Sequence, residues 1–131
     1  MLRRLSFTYV LKAVQKNLNR ANLNCFVLSQ ENLQTPYVTI EMKKQDEVEN
    51  EKLWEESYRF FIHVLATNLD ELYLVIQKIE DELAVKVSVP EGYEIISQAA
   101  KGEQLMKQEN NVVHAKMGYE FIISHGAKTK I

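Results

Sequence analysis

The residues whose types could carry chemistry are few and scattered: three histidines (His63, His114 and His125), one cysteine (Cys25), and two short acidic runs, Glu55-Glu56 and Glu80-Asp81-Glu82. A histidine base or metal ligand needs acidic partners at a fixed geometry. His63 and His114 are read as lying on alternating strand faces, without the spacing of a two-histidine helical pair, so both are expected on a solvated face. The acidic runs read as a strand rim and a solvated helix face. Gly92, Gly102, Gly118 and Gly126 stand singly, which leaves no Gly-rich loop to cradle a phosphate. Residue types alone give no Ser/His/Asp or Cys/His order. Cys25 sits in the apolar run Cys25-Phe26-Val27-Leu28 and reads as a small buried thiol rather than a nucleophile. The expectation is no catalytic residue, no metal site and no cofactor.

Hydrophobic periodicity supplies the elements. In 37–44, Val38, Ile40 and Met42 alternate with polar neighbours, which predicts a half-buried strand with Pro36 at its mouth. Over 54–67, Trp54, Tyr58, Phe60, Ile62, Val64 and Ala66 share one face, while Glu55, Ser57, Arg59 and His63 take the other. Asn68 can cap the following helix, Glu71 can reach back to it, and Asp70 suits the positive end of the helix dipole. Leu69, Leu72, Tyr73, Ile76, Ile79 and Leu83 then recur at three- and four-residue steps, predicting a helix over 69–84. An earlier helix over 3–20 carries Phe7, Val10, Leu11, Val14 and Leu18 on one face, and a strand is predicted over 24–30. The C-terminal strands fall within 92–124, with turns at Lys101-Gly102 and Asn110-Asn111. The span 103–109 is open between short strand and loop, and the tail from Gly126 to Ile131 reads as frayed.

With 131 residues the chain makes one domain, 1–131, able to bury about two-thirds of its unfolded surface without disulfides or metal. The fold class is α+β: a single-domain sandwich of a mostly antiparallel sheet with two helices packed on one face. A lone cysteine permits no internal disulfide, and no apolar run reaches the roughly 18 residues of a membrane span. The expectation is a soluble, intracellular protein with no membrane contact.

Charge is unevenly placed. The first 30 residues hold Arg3, Arg4, Lys12, Lys16 and Arg20 and no acid, whereas the rest of the chain has 11 bases against 18 acids. Three readings of the basic helix are open: a structural helix with a solvated basic face, an organelle presequence, or a membrane or nucleic-acid patch. The structural one is favoured, because Asn17, Asn19, Asn22 and Asn24 end the helix just before a strand, and five spread charges require no nucleic-acid contact. Residues 45–52 read as an acidic loop, too long for a tight hairpin turn, with Asp46, Glu47, Glu49 and Glu51 on it. It is open between a mobile solvated tip and a contact with another protein, and it lacks the spacing of a calcium loop. Phe61, Leu65 and Ile122 fall on the nominally wet sheet face, suited to a neighbouring subunit.

The order of elements, the Pro36-Tyr37-Val38 strand, the Phe60-x-Ile62-x-Val64 strand running into a helix, and the late His114-Ala115-Lys116-Met117-Gly118-Tyr119 strand resemble the tail terminator and tail-completion proteins of long-tailed bacteriophages and prophages. The resemblance covers nearly the whole chain. It implies a small structural protomer, not an enzyme, found in the virion or in host cytoplasm before assembly. It further implies a ring, often a hexamer, that caps the tail tube and joins it to the head, with itself, tail tube and head-tail connector proteins as partners. In such a ring the acidic loop (Asp46, Glu47, Glu49, Glu51) and the basic helix face (Arg3, Arg4, Lys12, Lys16) form opposite-sign surfaces for head-to-tail contact, with Phe61 and Leu65 against a neighbour. The alternative is a non-enzymatic binding module of a mobile element, monomeric or dimeric. An enzyme would need a deep pocket gathering His63 or His114 with acids.

Overall fold

The computed structural model describes residues 2–27, 33–102 and 104–128. Its order is α1 (Phe7–Arg20), β1 (Cys25–Phe26), β2 (Tyr37–Val48), β3 (Leu53–Ala66), α2 (Leu69–Leu83), β4 (Glu94–Ala100), β5 (Leu105–Glu109) and β6 (Val112–Ala127). The sheet runs β1-β2-β3-β6-β4, with β5 also paired to β6. All pairings are antiparallel except the short parallel match of Cys25 and Phe26 to Val38 and Thr39.

Period-two alternation sets the register, since a one-residue slip would turn every apolar side chain to the wrong face. Ile40 lies opposite Ile62 and Ile62 opposite Met117, while the next row joins Met42, Phe60 and Tyr119. The buried members of these rows share one core cluster with Val10, Val14 and Leu18 of α1 and Leu72, Ile79 and Leu83 of α2. The Phe7 ring meets Tyr58 edge-on at 5.5 Å. The capping expectation for α2 holds: the Asn68 side chain accepts from the Glu71 amide at 2.9 Å, and the Glu71 carboxylate accepts from the Thr67 amide, one residue before the cap.

Five boundaries differ from the sequence reading. Helix α1 begins at Phe7 rather than residue 3, because Ser6 is its cap and accepts from the Tyr9 amide. Residues 2–5 instead form no helix or strand and are tied to the sheet region, where the Tyr58 hydroxyl donates to the Leu5 carbonyl and the Tyr93 hydroxyl to the Arg3 carbonyl, each at 2.6 Å. Half of the acidic loop is strand: β2 continues to Val48, opposite Glu55, and residues 49–52 make the turn. Backbone pairing needs no apolar side chains, so a polar segment continues the ladder beyond the core. The ambiguous 103–109 span contains strand β5, whose five residues are all exposed. The tail is not frayed through Lys128, since β6 reaches Ala127 and the Lys128 amide donates to the Lys52 carbonyl. Of the predicted 24–30 strand only Cys25–Phe26 is strand among the described residues, and residues 28–30 lie outside them.

The end-to-end placement of β4 and β5 along β6 needs a glycine. Between them the Lys101 amide donates to the Gly118 carbonyl at 2.8 Å, and a Cβ on Gly118 would collide with the Lys101 carbonyl oxygen.

Candidate assembly surfaces

The β2–β3 hairpin extends the sheet to an acidic tip. Asn50 closes that tip: its side-chain oxygen accepts from the Lys52 and Leu53 amides, and its amide nitrogen donates to Glu55 at 2.6 Å. This local hydrogen bonding is the ordinary use of asparagine in turns. The four acids of the sequence reading do not behave alike. Asp46 pairs with Lys44 at 3.2 Å, whereas Glu47, Glu49 and Glu51 are exposed and form no ion pair among the described residues.

The basic surface is also re-sorted. Arg4 is engaged by the buried Glu56 at 3.4 Å, and Arg3 lies in the N-terminal segment ahead of α1. Lys12 and Lys16 instead line a groove of about 770 Å³ between α1 and the chain following α2, together with Arg20 and Lys86. Glu82 is the one acid there, and none of these four bases has an ion-pair partner among the described residues. Lys12, Lys16 and Arg20 recur every four residues, so a helix places them on one face. Lys86 was missed because only tertiary packing brings it to α1.

Phe61, Leu65 and Ile122 lie on the sheet face opposite the core residues and are half-buried. The Lys116 ammonium stands 4.1 Å and that of Lys43 5.2 Å from the Phe61 ring centroid, which covers the aromatic face with two cations.

His63 and His114 both lie on the sheet face opposite the core, as the alternation predicts, but the strand register brings them together where the sequence reading expected no convergence. His114 lies opposite Leu65 across β3 and β6, so it is the diagonal neighbour of His63, with His63 Nδ1 to His114 Nε2 at 2.9 Å. His63 Nε2 also meets Glu41 Oε1 at 2.8 Å. Burial first, then His63, Lys107 and Lys116, lower the His114 pKa, so this ring favours its neutral form. The three side chains line a cleft of about 710 Å³ with Leu11, Val27 and Met42. Neither ring hydrogen-bonds a hydroxyl or thiol among the described residues, and no group of three or more His, Cys, Asp or Glu there could hold a metal. Glu41, His63 and His114 thus form one hydrogen-bonded row across the sheet, which fixes the orientation of both rings.

Glu120 is the best-satisfied charge of this face. It accepts from Ser57 Oγ at 2.7 Å, Arg59 Nε at 2.9 Å and Lys101 Nζ at 2.9 Å. Burial raises its pKa, but the bonds from Lys101, Arg59 and Ser57 outweigh that and hold it at about 2.

The family comparison covers the full length. A phage tail terminator family model described as "Putative tail termination protein" matches residues 1–131. In architecture the chain is similar to a chain of the virion of a native gene transfer agent (GTA) particle, with a TM-score of 0.66 at 10% identity. That match covers 88% of this chain and 94% of the other, and at that identity it speaks for the fold. No curated protein matches significantly. The full-length match, on an α+β fold shared with a virion component, shows that this chain belongs to the phage tail terminator family and is a structural protein of the phage tail.

Proposed function

We propose that this protein assembles into a ring that caps the tail tube and joins it to the head, with the tube and head-tail connector proteins as its axial partners. The observation that carries the reading is the sheet face bearing Phe61, Leu65 and Ile122. These large apolar side chains are half-buried yet excluded from the core cluster, and they are flanked by charged and histidine side chains. Apolar anchors within a polar surround are the composition of a subunit contact. Family membership supplies the context of a tail. The mixed parallel and antiparallel sheet offers edges and faces on several sides, as a subunit with neighbours both beside and along an axis requires.

The test is the solution mass by light scattering or native mass spectrometry, over a range of protein concentration and at low and high salt. The expected result is a hexamer, or a ladder leading to one. A stable dimer would replace the ring with a two-subunit binding module. A monomer at every concentration would remove the self-assembling ring.

A further inference from the structure

We infer that the groove of α1 and Lys86 is the socket for the acidic hairpin tip of a second copy of this chain, so that one protomer's Glu47, Glu49 and Glu51 dock against its neighbour's Lys12, Lys16, Arg20 and Lys86. This inference rests on the ring reading and names the contact that would build it. Three observations carry it.

The charges match and are unspent. Four bases line the groove against one acid, Glu82, and three exposed glutamates stand at the tip against one exposed base, Lys52; none of the four groove bases and three tip glutamates has an ion-pair partner among the described residues. Exposed like charges crowded on one surface repel one another, and an opposite-sign partner relieves both sets at once.

Both surfaces are preformed. The tip is held by Asn50, by strand pairing up to Val48 and by β6, which reaches Ala127 opposite Leu53, and the groove of about 770 Å³ has Tyr9, Ala13 and Val85 along its wall. Val85 is 70% exposed and Tyr9 38% exposed, which gives the socket an apolar contact as well as a charged one.

The tip cannot serve its own groove. Helix α1 starts beside Tyr58, where Phe7 packs, and ends near Cys25, which pairs with Val38 and through it with Val64. The helix therefore runs away from the tip, and Arg20 lies about 20 Å beyond Phe7 at 1.5 Å per residue. Two different surfaces on one chain make a heterologous contact, which propagates from copy to copy and closes into a ring when the rotation permits.

The experiment uses two triple variants of the full chain. The tip variant carries Glu47→Lys, Glu49→Lys and Glu51→Lys; the groove variant carries Lys12→Glu, Lys16→Glu and Arg20→Glu. All six side chains are exposed, and circular dichroism checks that both variants fold. Each variant alone is expected to be monomeric at concentrations where the unmodified chain assembles. Mixed in equal amounts they should assemble again, with both present one to one by native mass spectrometry, because each variant's tip then meets a groove of opposite sign. Assembly of either folded variant alone, or a mixture that stays monomeric, overturns the contact while leaving the ring in place. An unmodified chain that is monomeric throughout overturns both.

Discussion

Gly118 on β6 lies directly beneath the backbone carbonyl of Lys101, which leaves no room for a Cβ. The approach is fixed by the Lys101 amide bonded to the Gly118 carbonyl, at the point where β4 gives way to β5. Gly118→Ala is expected to displace the Lys101–Gln104 connection and to destabilise the fold by about 1–3 kcal/mol, the usual range for overpacking a tight site. Chemical denaturation measures it directly; an unchanged midpoint would show that the connection shifts freely. Gly102 is the control, since nothing lies within 4 Å of a Cβ built there, although its φ of +93° adds a backbone cost of its own.

Acid should weaken this fold in two steps. Glu120 has its pKa depressed from 4.5 to about 2, so its stabilisation is complete above pH 4.5 and is lost as pH falls from there towards 2. His114 has its pKa lowered from 6.5, so the unfolded chain takes up the proton first, and stability begins to fall as pH drops below about 6.5. Both signs point the same way. Denaturation midpoints should stay level from pH 8 to about 6.5 and decline below it, and Glu120→Gln should flatten the part below pH 4.5. A Glu120→Gln profile parallel to that of the unmodified chain would contradict the network.

Cys25 should be inert in the native protein. It is 2% exposed, and burial pushes its thiol from 9.0 up to about 12, which lowers the thiolate fraction about a thousandfold. An aromatic disulfide reagent at pH 7.5 should leave Cys25 unmodified in the folded chain and react at once in denaturant. Rapid reaction without denaturant would mean that β1 opens readily.

The sequence was most informative where burial and local hydrogen bonding act together. Val38, Ile40, Ile62, Val64, Met117 and Phe121 alternate because one sheet face is dry, and Asn68 and Glu71 mark a helix start three residues apart. Information was lost where backbone pairing alone holds a strand. Gln45, Asp46 and Glu47 look like loop residues, and the all-exposed Leu105–Glu109 has no buried face from which to read a period. The candidate assembly surfaces were half legible. Lys12 and Lys16 share a helix face that spacing reveals, while Lys86 joins them from 66 residues beyond Arg20. Arg4 could not be separated from them by sequence, because its partner Glu56 is 52 residues away. The same holds for His63 and His114, 51 residues apart, whose meeting depends on the β3–β6 register.

β6 borders β3 along one side and both β4 and β5 along the other, and neither β4 nor β5 has a different partner strand among the described residues. During synthesis, β4 and β5 leave the ribosome with nothing to pair with until Val112–Ala127 follows. The hairpin of β2 and β3 can form early and locally, but its β3 edge stays open until the same strand arrives. Arrival of one 16-residue strand therefore closes the open edge of β3 and gives β4 and β5 their partner in a single step.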